Sequence, residues 1–288
     1  MKTKTLILLV IVFLTTLFLF GSGKTEETSL KPTVAVSILP EKTFVEKVAG
    51  DTVNVFAVIP PGASPENYEP SIQERMELED AVIYFTIGVN TEKANILDLI
   101  SENTKIVSLQ DSVSSVYPDL TLDGERDPHI WLSINRVKVI IEQIYETLSL
   151  EFPENKALYR KNSDLYLIEL DNTYQEIKEA VTKAKIKSFL VFHPAFQYFA
   201  DDFGLEMIAI EKDGKEATIK QLQEIINMAK EQNIKVIFYQ KEIDSSQTQA
   251  ISNELNAQAI ALEPLSTDYT ENLKQMAEKI MGIEEIEQ

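Results

Sequence analysis

Two histidines are the only imidazoles in this 288-residue chain, and each stands where a side chain could do chemistry. His129 lies in Asp127-Pro128-His129-Ile130-Trp131, just ahead of a helical segment beginning at Ile134. His193 directly follows Ser188–Phe192 (SFLVF), so it is expected at the carboxyl edge of a strand. Ligands of open α/β sheets sit at that edge. A lone histidine is usually a surface or core residue; two at the ends of elements narrow those odds without reversing them. The chain holds no cysteine, which removes thiolate ligands, disulfides and thiol nucleophiles together. It also lacks the HExxH pattern of zinc hydrolases and the GxSxG pattern of serine nucleophiles.

The elements that must hold these histidines alternate between strand and helix. Thr33–Ile38, Val53–Ile59, Ala81–Ile87 and Lys105–Leu109 read as strands, with helices over Glu41–Ala49 and Ser71–Asp80. Ser188–Phe192, Glu206–Ile210, Lys235–Tyr239 and Ala257–Leu262 repeat the pattern, with helices over Ile219–Gln232 and Gln247–Asn256. Short β-branched runs separated by helices predict parallel sheets. Between the halves, Ile134–Leu150 reads as one helix, stopped at Phe152-Pro153. Pro153 suits the first turn of a second helix, and no Gly or Pro follows from Glu154 to Lys183. Tyr166, Leu170, Tyr174, Ile177 and Val181 make one apolar stripe along it. The predicted fold is therefore α/β: two lobes, each a mainly parallel sheet flanked by helices, joined by a long rigid helix.

Lys2 and Lys4, an apolar run over Leu6–Phe20 and the small residues Gly21-Ser22-Gly23 have the order of a secretory signal. The expected divisions are a signal peptide at 1–23, a polar linker at 24–32, an N-terminal lobe at 33–150, a connecting helix at 151–185 and a C-terminal lobe at 186–288. The protein is then exported, to the periplasm or the outer face of the membrane. It is soluble after cleavage, with no lipobox cysteine, or held by an uncleaved N-terminal segment. A formal charge of −19 disfavours nucleic acid and anionic membranes and favours cations, although charge alone identifies no metal binder. The charged run Glu211–Lys215 reads as a solvated turn, and Glu284, Glu285 and Glu287 as a frayed helix end.

Four motifs, in order, make the chain resemble the zinc/manganese solute-binding proteins of ABC importers. Pro61-Gly62-Ala63-Ser64-Pro65-Glu66-Asn67-Tyr68-Glu69-Pro70 matches that family's first loop, and Asp127 to Trp131 its second motif. His193-Pro194-Ala195-Phe196-Gln197-Tyr198-Phe199, running to Gly204-Leu205, matches the third, and Glu263 in Leu262-Glu263-Pro264-Leu265 the last. The likeness extends over residues 33–283. It implies a metal site of Glu66, His129, His193 and Glu263 between the lobes, with the first two from the N-terminal lobe. It also implies Tyr68 and Trp131 packed beneath the site and Gln240 as a supporting residue.

Two positions depart from the pattern. Glu66 stands where the family usually has histidine, and Gln240 where glutamate is expected. Two imidazoles and two carboxylates would neutralise a 2+ ion and suit zinc, manganese, iron or cobalt rather than Ca²⁺ or Cu(I). The Irving–Williams order favours zinc, whereas the carboxylate share moves the balance toward manganese. Tyr117–Arg126 is short and has no histidine, unlike the His-rich loop common in zinc-specific members. The expected protein is a monomeric, non-enzymatic carrier that delivers one Zn²⁺ or Mn²⁺ to an ABC-importer permease. The alternatives are a degenerate member that binds another solute, a metal chelate or a protein, and, least favoured, a metal-dependent hydrolase. Binding is expected to weaken below about pH 6, since imidazoles must be unprotonated to ligate.

Overall fold

Among the described residues, eight of the ten strands fall where short β-branched runs predict them, and these eight assemble into two separate parallel sheets. The computed structural model describes residues 31–122, 124–184, 187–211, 219–231, 234–242 and 246–282. The expected signal peptide, most of the polar linker, Lys212–Lys215 and the acidic tail lie outside the described residues. Among those described, no helix is long and apolar enough to cross a membrane.

The first sheet contains β1 (Thr33–Val36), β2 (Asn54–Ala57), β3 (Ala81–Thr86) and β4 (Lys105–Ser108), in the order β2-β1-β3-β4. Its helices are α1 (Leu39–Ala49), α2 (Ile72–Glu79) and the short α3 (Leu109–Ser114). Ser71 caps α2 reciprocally: its hydroxyl accepts from Glu74 N while its own N–H donates to Glu74 Oε2. A two-strand hairpin follows, β5 (Thr121–Leu122) and β6 (Glu125–Arg126), which sequence patterning did not predict.

Two long helices come next, α4 (Ile134–Glu151) and α5 (Lys156–Lys183), with Pro153 opening the 3₁₀ turn between them. On α5 the buried face is Tyr159, Ser163, Tyr166, Leu170, Thr173, Ile177 and Val181, close to the predicted stripe. Tyr174 sits at its margin, stacked on Phe203 with ring centroids 5.3 Å apart. The second sheet contains β7 (Ser188–Val191), β8 (Glu206–Ala209), β9 (Val236–Gln240) and β10 (Gln258–Leu262), in the order β10-β9-β7-β8. Between and after its strands lie α6 (Gln197–Phe203), α7 (Ile219–Glu231), α8 (Ser246–Leu255) and α9 (Tyr269–Met281).

Read from its own first strand, the second sheet has the same order as the first, 2-1-3-4, although no sequence repeat is visible. That order puts a topological switch point between β1 and β3 in one sheet and between β7 and β9 in the other. Such a point leaves a crevice beyond the carboxyl ends of the strands.

The two sheets share one hydrophobic core: Val34 and Phe85 belong to the same buried cluster as Phe189, Phe238 and Leu262. Helix α5 joins them, packing against α1, α4 and α9. Its Glu169 accepts from Lys47 on α1 at 2.9 Å and from Thr270 on α9 at 2.8 Å. Trp131 N–H donates to the Pro264 carbonyl at 2.9 Å, and the Tyr269 hydroxyl donates to the Trp131 carbonyl at 2.7 Å. Asp202, on α6, accepts from Ser133, Asn135 N and the Asn135 amide around the start of α4. Ties this numerous across one continuous core resist hinge bending.

Candidate metal centre

Three of the four residues expected to bind metal come together at these crevices. Glu66 is carried by the loop after β2, His129 by the turn after β6, and His193 by the segment after β7. One donor atom from each lies within 4.8 Å of the others. Glu66 Oε1 is 3.8 Å from His129 Nε2 and 3.9 Å from His193 Nε2, and the two rings sit edge to face with centroids 5.4 Å apart. A tetrahedral ion with bonds of ~2.0–2.1 Å separates neighbouring donors by about 3.3 Å. Each Glu66–histidine distance needs to close by only about half an ångström to share one.

Each ring is oriented by a carboxylate. Asp127, fully buried, places Oδ1 at 2.9 Å from His129 N and 2.7 Å from His129 Nδ1. The short Asp-Pro-His spacing allows this, because the aspartate reaches forward over its own turn. Glu211 places Oε2 at 2.7 Å from His193 Nδ1. Parallel pairing of β7 and β8 brings it there: Glu211 N donates to the Phe192 carbonyl, one residue before His193. A carboxylate at Nδ1 fixes that nitrogen as the N–H and leaves the Nε2 lone pair for a ligand. His193 Nε2 is buried and has no hydrogen-bond partner, the condition of a donor awaiting an ion.

Glu66 is 27% exposed and lies on the open side of the group. Its second oxygen, Oε2, accepts from the Asn90 amide at 2.7 Å. Trp131 is buried beside His129 with ring centroids 5.2 Å apart. Tyr68 is partly buried; its hydroxyl is tied to Glu74 and its N–H to Thr91. The hydroxyl's pKa is pushed up to about 12, by loss of solvation and then by the Glu74 carboxylate.

Glu263 is not drawn into the group. Its Oε1 accepts from Lys241 at 3.0 Å, and the side chain is 44% exposed. Gln240 is buried at the end of β9 with its amide nitrogen unpartnered, and neither histidine hydrogen-bonds to it. The carboxylates against the rings are Asp127 and Glu211; the charged run predicts a solvated turn at Glu211, whereas its side chain is only 14% exposed and turned onto His193. The signal for Asp127 was present in its motif. For Glu211 the signal was only its place one residue after a strand that pairs with the histidine's strand.

Comparison with known proteins bears on the family and the fold. The family model described as zinc-uptake complex component A, periplasmic, matches residues 34–282. The zinc-binding lipoprotein AdcA of Streptococcus pneumoniae is 27% identical over 282 residues, covering 92% of this chain. The chain spans 56% of that relative's length. The manganese ABC transporter substrate-binding lipoprotein PsaA, also of Streptococcus pneumoniae, is 27% identical over 266 residues, covering 86% of this chain and 85% of PsaA. A crystal structure of a zinc-bound ZnuA deletion mutant superimposes with a TM-score of 0.82 at 33% identity, covering 88% of this chain and 97% of that one.

Proposed function

The chain belongs to the family of the periplasmic zinc-uptake component A, and we propose that it captures a divalent transition-metal ion outside the cytoplasm for an ABC importer. The observation that carries this reading is the convergence of His129 Nε2, His193 Nε2 and Glu66 Oε1, with both imidazoles held from behind by carboxylates. Two nitrogens and an oxygen suit Zn²⁺ and Mn²⁺, and intrinsic affinity runs toward zinc. The ion is cargo: it binds between the lobes and leaves to the permease. A degenerate site would have no reason to keep a buried, unpartnered Nε2 facing a carboxylate.

We assign the fourth position to Glu263. It follows β10, two strands from β7, a lateral separation of about 10 Å that two side chains and an ion can bridge. Its exposed pair with Lys241 is worth about 0–1 kcal/mol, so exchanging lysine for the ion costs little. Loading would then draw Glu263 in and complete a neutral site. The test is metal content after purification from the native compartment, followed by competition titration with Zn²⁺ and Mn²⁺. One ion per chain, lost in Glu66→Ala and weakened in Glu263→Ala, is expected. No bound ion, with no divalent cation raising thermal stability, would overturn the reading.

A further inference from the structure

Asn90 lies outside every motif that identified the site, yet it decides which face of Glu66 is free. Its amide donates to Glu66 Oε2 at 2.7 Å, while Oε1 faces both histidines. A carboxylate with one oxygen already hydrogen-bonded presents the other oxygen more readily to a metal.

The loop that carries Asn90 is fixed from both sides. Ile87 N and Gly88 N donate to the buried Glu92 carboxylate at 2.7 and 2.9 Å. Thr91 N donates to the Pro65 carbonyl, next to Glu66, and the Thr91 hydroxyl oxygen accepts from Tyr68 N at 3.1 Å. Asn95 closes the far end through the Tyr68 carbonyl at 2.8 Å. Gly88 makes the turn at φ +96°, where a Cβ would also come within 3.3 Å of Gln110. The loops bearing Glu66 and Asn90 are thus laced together on either side of the pair, and the amide is held in place without needing burial.

We propose that Asn90 is a specificity-determining positioning residue: by occupying Glu66 Oε2 it holds Glu66 to one metal bond and favours zinc over manganese. This rests on the metal-capture reading above and names which ion that site selects. Zinc accepts four ligands with single carboxylate oxygens, whereas manganese prefers six and more oxygen. A glutamate free to turn both oxygens inward adds a ligand that manganese can use and zinc does not need.

The experiment uses the full chain, stripped of metal, as wild type, Asn90→Leu and Asn90→Asp. Leucine removes the donor at similar size; aspartate keeps the shape and cannot donate when ionised. Zn²⁺ and Mn²⁺ affinities are measured by chelator competition, and Co²⁺ is bound as a spectroscopic probe of coordination number. Removing a partner behind a metal ligand shifts affinity about 10–100-fold, so the zinc-to-manganese ratio is expected to fall by about tenfold in both variants. The visible Co²⁺ absorption should weaken as four-coordination gives way to five or six. A purely structural role for Asn90 would weaken both ions by the same factor and leave the Co²⁺ spectrum unchanged. Either that result or an unchanged ratio overturns the inference while leaving metal capture intact. Wild-type protein that binds neither ion overturns metal capture itself.

Discussion

Replacing Glu211 with alanine separates the orientation of a metal ligand from the ligand itself. Glu211 meets His193 Nδ1 at 2.7 Å and is only 14% exposed, so water is a poor substitute for it. Without it the ring can turn over, the proton can move to Nε2, and the imidazole loses basicity toward the ion. Carboxylates in this position are worth about 10–100-fold in metal affinity, or about 1.4–2.8 kcal/mol at 1.4 kcal/mol per decade. The depth of the pair places Glu211→Ala near the middle, about 30-fold. Glu211→Gln keeps an oxygen acceptor without the charge and should lose about a third to a half of that free energy. The assay is chelator competition at fixed pH on metal-stripped protein, beside thermal melts of the same samples without metal. The unloaded protein should lose about 1–3 kcal/mol, the cost of leaving the buried His193 N–H without its acceptor. An alanine variant that binds zinc within twofold of wild type would refute the idea that this carboxylate tunes His193.

Three further outcomes follow from the geometry. Trp131 is the only tryptophan and lies 5.2 Å from the His129 ring, so zinc should change its fluorescence and saturate at one ion per chain. His193→Ala should abolish that response without altering the starting spectrum. The Asp202 side chain is buried and accepts three hydrogen bonds from Ser133 and Asn135 at the start of α4, and Asp202→Ala leaves those donors without their acceptor. Leaving buried donors unsatisfied costs about 1–3 kcal/mol, measurable by urea unfolding. Glu92 and Glu41 are buried near one another, and loss of solvation pushes Glu92 up to about 7 and Glu41 up as well. The folded state therefore keeps a proton that the unfolded chain releases near 4.5, and stability falls as pH rises from about 4.5 to about 7. The slope for one proton is about 1.4 kcal/mol per pH unit, and Glu92→Gln should flatten it in the metal-free protein.

The sequence made the strands legible because parallel strands buried on both faces read as short β-branched runs. His129 and His193 were legible because no other imidazole competes with them. Glu66 was found only through the loop motif around it, and its exposure gives it no apolar signature. What was hidden depends on pairing across the fold. Glu211 sits in a charged run that looks solvated until β8 aligns with β7, and Asn90 is an ordinary loop amide until its loop is laced to Pro65 and Tyr68. Helix α9 could have been read: Tyr269, Leu273, Met276 and Ile280 recur at spacings of three and four and are all buried. Glu263 shows the opposite case, a motif position whose side chain has taken a lysine partner at the surface.

The central claim is that His129, His193 and Glu66 hold one transition-metal ion through Nε2, Nε2 and Oε1. Anomalous X-ray diffraction from crystals grown with Zn²⁺ tests it most directly. The account predicts a single strong peak between the lobes, about 2.0–2.1 Å from both Nε2 atoms and from Glu66 Oε1, with Asn90 still on Oε2. A peak bound through Nδ1, or the absence of one between these three residues in zinc-saturated crystals, would contradict it.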